Sequence, residues 1–228
     1  MRGQDNNYIP ALAFRVLTPL YDPLMRWAMR EEVFRGRLIV QASVRPGQRV
    51  LDLGCGTGTL TLRLKQAIPA AEVIGIDPDP AVLQIAVAKA QRAGVSVGFD
   101  LGDATALPYP DDSFDRVVSS LVFHHLTPQA KRSAARDSFR VLRPGGELHV
   151  ADWGKPQNLL MRIAFLGVQL LDGFGTTAEN RAGRLPEIFR RAGFENVEER
   201  DRLATLFGTL MLYSAVKDMQ NRPDAGAQ

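Results

Sequence analysis

The residues able to do chemistry sit in a few short stretches. In Asp52-Leu53-Gly54-Cys55-Gly56-Thr57-Gly58-Thr59, an apolar run ends in an acid and three glycines alternate before a helical segment. Glycine accepts positive φ and leaves no Cβ between backbone and ligand, so such a turn can cradle a nucleotide-like molecule. Position 59, where a dinucleotide fingerprint needs its third glycine, is Thr, which argues against an NAD-dependent oxidoreductase. Asp77 and Asp103 follow, each closing an apolar run or lying in the loop after one. Farther on come His124-His125, of the side-chain type most easily poised near neutral pH, and Asp152 in Ala151-Asp152-Trp153. A lone Asp at a turn is ordinary capping chemistry; an acid after each of three successive apolar runs is a pattern.

For these residues to meet, the chain must bring the ends of its apolar runs to one edge. Arg49–Leu53, Glu72–Asp77, Val95–Asp100, Phe114–Ser120 and Glu147–Trp153 read as strands; Thr59–Ala67, Pro80–Ala93 and Pro128–Leu142 read as the helices between them. This alternation specifies an α/β fold: a parallel sheet covered on both faces, with ligands beyond the carboxyl ends of its strands. Ahead of it, residues 8–45 read as helical pieces broken near Pro19 and Pro23. After it, Asn158–Leu171 and Ala178–Ala192 read as helices, with Gly173, Gly175 and Thr176-Thr177 as a hinge. Glu195–Asp201 and Thr209–Lys217 follow closely enough to pair antiparallel. The expectation is one domain: a helical lid over 1–45, a ligand-binding core over 46–153, a lid insertion over 154–180, a helix and strand pair over 181–217, and a flexible tail over 218–228.

Val50–Leu62, Gly75–Asp79, Gly102–Phe114, Phe114–Leu126 and Arg140–Trp153 each resemble a successive motif of the class I S-adenosylmethionine (SAM)-dependent methyltransferases. The resemblance is strongest for the branch holding the ubiquinone/menaquinone-biosynthesis C-methyltransferases and the small-molecule O- and N-methyltransferases. It implies a Rossmann-like seven-stranded sheet of order 3-2-1-4-5-7-6 with strand seven antiparallel, and SAM as cofactor. Asp52 would then hold the turn and meet the methionyl ammonium, while Gly54, Gly56 and Gly58 let the backbone approach the amino acid and ribose. Asp77 would accept from the ribose diol, with Pro78 against adenine. Asp103 would accept from the adenine amine as the Ala104 amide donates to the ring, and Ser120 would line the cofactor through its backbone. Tyr21-Asp22 resembles the Tyr-Asp ahead of the core in quinone and phospholipid methyltransferases, where Tyr21 would close over the methionyl end. His124, His125 and Asp152 are similar to a pattern in sugar O-methyltransferases and are the expected catalytic residues. The quinone enzymes carry Arg-Asn near the position of His124-His125, which leaves the acceptor open.

The 228 residues carry 28 Lys and Arg against 25 Asp and Glu, a formal net charge of +3, so electrostatics demand no nucleic acid. The single cysteine, Cys55, allows no intrachain disulfide and no cysteine-rich metal site, and is expected to pack inside the turn. Met1–Asn7 is polar with no signal-peptide core, and no apolar run approaches membrane-spanning length; a cytoplasmic protein is expected, compatible with peripheral membrane contact. Arg26, Arg30, Arg35 and Arg37, interrupted by Glu31 and Glu32, read as a solvated helix face rather than a membrane patch. Leu159, Leu160, Met161, Phe165 and Leu166 are expected to help roof the acceptor pocket, and any left exposed favour an apolar acceptor. The reading is an enzyme moving a methyl group from SAM to O, N or C of a small apolar molecule. Its alternative is a SAM-binding partner or regulatory protein without catalysis.

Overall fold

Strand β1 (Arg49–Leu53) shows how the sheet is built. Leu51 and Leu53 enter one apolar cluster, while Val50 between them enters another. Successive strand residues point to opposite faces, so an apolar run of this kind is stable only with helices packed on both. The computed structural model describes residues 30–157 and 159–219. The expected lid up to residue 29, with Tyr21 in it, and the tail beyond 219 lie outside the described residues.

The strands are β1, β2 (Glu72–Asp77), β3 (Gly98–Leu101), β4 (Phe114–Ser120), β5 (Leu142–Trp153), β6 (Glu195–Thr205) and β7 (Gly208–Val216). They form one seven-stranded sheet of order β3-β2-β1-β4-β5-β7-β6. β1 to β5 pair in parallel, while β7 runs antiparallel between β5 and β6, with Asp152 opposite Met211 and Arg202 opposite Met211 on the other side. This is the expected architecture. Helices α1 (Glu31–Ala42), α2 (Thr59–Ala67) and α5 (Leu159–Asp172) contribute Phe34, Leu60 and Phe165 to one cluster. Helices α4 (Pro128–Val141) and α7 (Leu185–Arg191) contribute Ala134 and Phe189 to the other. Helix α3 (Pro80–Ala93) joins β2 to β3, and α6 (Phe174–Arg181) precedes α7.

Local chemistry sets the boundaries. Asp79 caps α3 by accepting from the Ala81 amide at 2.8 Å, and Thr127 caps α4 by accepting from the Ala130 amide at 3.3 Å; each helix has proline in its first turn, where no amide is needed. The sequence reading needs correction in several places, β5 beginning at Leu142 ahead of the expected Glu147 and β6 running on past Asp201 to Thr205. β3 begins at Gly98, not Val95, because Val95 is still held by its amide to the Ala90 carbonyl at the end of α3. The helix expected over Ala178–Ala192 is two, since Gly183 (φ 70) closes α6 and Pro186 starts α7, where a continuous helix would lose an amide. The expected hinge begins α6 instead, with the Thr177 hydroxyl donating to the Gly173 carbonyl at 2.7 Å.

In β2, a Cβ at Gly75 would lie 2.8 Å from Cys55 Sγ and 3.0 Å from Thr61 Oγ1. Gly75→Ala is therefore expected to lower stability by about 1–3 kcal/mol through overpacking, read as an earlier urea midpoint with unchanged slope.

Candidate active site

The turn after β1 is held against the end of β2. The Cys55 amide donates to the Ile76 carbonyl at 3.0 Å, and the Gly56 amide donates to Asp77 Oδ2 at 2.8 Å. The Asp79 amide donates to the other carboxylate oxygen, Oδ1, at 3.0 Å. Gly54 (φ 67) passes so close to Val122 that a Cβ would sit 2.5 Å from its Cγ2. Gly56 (φ 52) has nothing within 4 Å of where a Cβ would be, so its backbone faces open room. Gly58 departs from the expectation. Its missing Cβ is filled by Ala86 and Phe99 at 2.9 Å, so it serves helix packing and does not line the cavity. Lys89, from α3, donates to the Thr57 carbonyl at 3.0 Å and to the hydroxyls of Thr57 and Thr59 at 2.8 and 3.0 Å, pinning the far side of the turn.

A cavity of about 640 Å³ opens beside this turn. It is lined by Asp52, Gly54, Gly56, Asp77, Pro78, Asp103, Ala104 and Ser120, all singled out in the sequence, and at one end by His125. Asp52 is buried and accepts from the Thr61 hydroxyl at 2.6 Å; burial pushes its pKa up to about 6, against the opposing pull of Thr61 and the Arg35 charge. Burial also raises Asp77, against the Asp79 and Gly56 amides that favour its charged form. Asp103 is exposed and accepts from the Thr105 amide at 2.7 Å. Cys55 is buried in the turn, and burial raises its thiol far above the ordinary range, so it is an inert packing residue.

Two cavity or turn residues escape the sequence reading. Arg35 lines the cavity from α1, where it pairs with Glu31 at 2.8 Å, and is not part of a uniformly solvated face. The signal is its place next to Phe34, whose spacing with Leu38 and Ala42 marks the buried stripe. Lys89 carries no local signal, because its partners lie about thirty residues away.

The short 3₁₀ helix Phe123–His125 closes one end of the cavity. The three expected catalytic residues do not converge on open space. His125 faces the cavity, whereas His124 and Asp152 are buried and absent from its lining. His124 Nδ1 lies 2.9 Å from Asp152 Oδ1, and the two histidine rings are in contact, tilted at 39° with centroids 4.0 Å apart. Burial alone would raise Asp152, but His124, the Trp153 amide and Lys131 hold its pKa below the ordinary value. A carboxylate there fixes Nδ1 of His124 as the protonated nitrogen. Asn180 of α6 donates to the same Asp152 oxygen at 3.0 Å and to the Trp153 carbonyl at 3.2 Å. Lys131 is fully buried and donates to the Thr176 carbonyl; burial lowers its pKa to about 8. Burial, then the neighbouring His124 and Lys131, lowers His125 to about 3, so its ring is neutral across the physiological range. His149 sits elsewhere, buried inside the sheet, 3.2 Å from Gln41 Nε2 and 3.2 Å from Glu147 Oε2, away from the cavity lining.

Residues 50–146 match the methyltransferase domain family. A demethylmenaquinone methyltransferase of Thermus thermophilus is 39% identical over 158 residues, covering 67% of this chain and 71% of that protein. A ubiquinone/menaquinone biosynthesis C-methyltransferase of Pasteurella multocida is 39% identical over 118 residues, 50% of this chain and 43% of that protein. Among solved structures, the YcgJ protein of a Bacillus superposes with a TM-score of 0.65 at 22% identity, covering 81% of this chain and 97% of that one, which is a likeness of fold.

The Asp52 value carries a pH dependence. Its folded pKa, about 6, lies above the ordinary 3.8, so the folded state holds the proton more tightly; the stability this contributes is full below the ordinary value, falls as pH rises from there, and is lost once pH has passed about 6. Asp52→Asn is expected to gain stability relative to the parent between pH 5 and pH 7.5, by about 1–2 kcal/mol, in urea denaturation at both pH values. A difference that does not change with pH contradicts the buried-acid account.

Proposed function

This chain belongs to the class I SAM-dependent methyltransferases, and we propose that its cavity holds the cofactor along the turn while His125 presents a small, apolar, hydroxyl-bearing acceptor of the quinol type. The cavity carries this reading: one end has a glycine backbone and acids from successive crossovers, the other a neutral imidazole backed by a buried His124–Asp152 pair. The residues present fit SAM. Open room lies over Gly56, the Asp77 carboxylate sits at the cavity wall, and a buried acid and a guanidinium, Asp52 and Arg35, stand at the same cavity for the ammonium and carboxylate of an amino acid.

When bound, SAM supplies a sulfonium methyl already activated for transfer. The protein then has to hold and align, and alignment alone reaches effective molarities of roughly 10⁵–10⁸ M. In this proposal Asp77 accepts from the ribose hydroxyls with the lone pairs its two amide bonds leave, Pro78 and Ala104 flank the base, and Asp103 accepts from the exocyclic amine. Gly54, Gly56 and the Ser120 backbone bound the methionyl arm. Tyr21 is proposed to close that arm on the resemblance alone.

His125 is already neutral, so its ring accepts a hydrogen bond from the acceptor hydroxyl and turns the nucleophilic atom toward the methyl. His124 and Asp152 act behind it as positioning residues, holding the 3₁₀ helix. The quinone methyltransferases named above make a quinol-like carbon the acceptor atom we favour; this chain's His124-His125 marks where its acceptor contacts differ.

SAM and S-adenosylhomocysteine are expected to raise the melting temperature and NAD is not. Asp77→Ala should weaken S-adenosylhomocysteine binding about 10- to 100-fold, the worth of hydrogen bonds to a charged group. His125→Ala should lower kcat at least about tenfold with cofactor affinity nearly unchanged, measured by product mass spectrometry on a panel of hydroxylated quinols and calorimetry. Undiminished kcat would remove His125 from the acceptor site.

A further inference from the structure

Among its described side chains, helix α5 carries apolar residues on two faces. Phe165, Val168 and Gln169 face the interior, where Phe165 meets Trp153 with ring centroids 5.6 Å apart. On the other side Leu159, Ile163 and Leu166, at i, i+4 and i+7, are 71%, 55% and 42% exposed, and Phe174 at the start of α6 is 55% exposed. A helix with apolar side chains on both faces reaches a stable arrangement when a second apolar phase covers the outer one. Among the described residues no helix is long and apolar enough to cross a membrane, so that phase is met at a surface.

Charge selects which surface. Lys155, Arg162 and Arg181 line a shallow groove with Leu159 beside the apolar stripe, and none of the three has an ion pair among the described residues. Single arginines such as Arg45 and Arg136 also lack an ion pair among the described residues, whereas Arg37, Arg49 and Arg63 have one; what marks this groove is three such cations sharing one lining with an exposed apolar side chain. An apolar stripe flanked by unpaired cations matches an anionic bilayer, whose acyl region takes the first and whose phosphates take the second. We propose that the α5–α6 edge docks on an anionic lipid surface, Leu159, Ile163, Leu166 and Phe174 entering the interface while Lys155, Arg162 and Arg181 contact phosphates. Helix α6 packs on the 3₁₀ helix bearing His125, so the docked edge adjoins the acceptor end of the cavity and a lipid-soluble acceptor would arrive from that side. The docking surface stands on exposure and charge, independent of the acceptor reading.

The test is vesicle flotation of the full chain with equal parts phosphatidylglycerol and phosphatidylcholine, against phosphatidylcholine alone, at low and high salt. The expected result is salt-sensitive binding to the anionic vesicles only. With about fivefold per basic residue, the triple variant Lys155→Glu, Arg162→Glu, Arg181→Glu should lose more than about 100-fold in partitioning. The double variant Leu159→Ser, Ile163→Ser should bind weakly even at low salt. Both should keep the parent's S-adenosylhomocysteine-induced rise in melting temperature, which reports an intact fold and cofactor site. No binding to anionic vesicles overturns the proposal, as does equal binding to both compositions. A concentration-dependent dimer in sedimentation velocity that Leu159→Ser, Ile163→Ser abolishes would overturn it in favour of a protein interface.

Discussion

The contact on which the site depends is that between the Gly56 amide and the Asp77 carboxylate. It ties the turn after β1 to the end of β2, and it draws a buried acid and a bare stretch of backbone to the same wall of the cavity. Neighbouring parts reinforce it. The Cys55 amide is satisfied by Ile76, the Asp79 amide takes the second Asp77 oxygen, and Lys89 holds the turn from the opposite side. A loop with its amides committed in this way is pre-ordered, so binding need not supply the entropy of ordering it. Parallel pairing makes this possible, since it puts the ends of β1, β2 and β4 along one edge.

The opposite end of the cavity is built by a different rule. There the cavity shows one polar ring, His125, and conceals the charges behind it. Asp152, Asn180, Lys131 and His124 come from β5, α6, α4 and the 3₁₀ helix, and their contacts join the expected lid insertion to the core. A buried carboxylate is tolerated because one of its oxygens accepts from His124, Asn180 and the Trp153 amide, while Lys131 adds charge nearby. The consequence for chemistry is a neutral imidazole, suited to orienting an acceptor, with its orientation fixed from behind.

Most of the fold was legible because its strands and helices declare themselves locally. Arg49–Leu53, Glu72–Asp77 and Phe114–Ser120 stand where the apolar runs put them, and the close spacing of the last two strands foretold the antiparallel β7. The departures lie where local pattern competes with backbone chemistry. Gly183 and Pro186 divide a helix that hydrophobic spacing alone would continue, and the Val95 amide stays with Ala90 instead of starting β3. Within the site, the acids and glycines were legible because each sits at a strand end. Gly58 was misjudged, since sequence spacing does not say whether a glycine faces ligand or Phe99. Lys89, Lys131 and Asn180 were not legible, for their partners are distant in the chain and no periodicity links them, whereas Arg35 had a signal in its place beside Phe34 on the buried stripe of α1. The pairing of one histidine with the cavity and the other with Asp152 likewise follows from the 3₁₀ turn, which a dipeptide cannot reveal.

The central claim is that one wall, made of the β1 turn and the Asp77 carboxylate, grips the nucleoside of SAM. Its most direct measure is the structure of the protein crystallised with S-adenosylhomocysteine. The account predicts density for the ribose within hydrogen-bonding distance of Asp77, with the methionyl arm running past Gly56 toward His125. Ligand bound elsewhere, or a ribose facing away from Asp77, would contradict it.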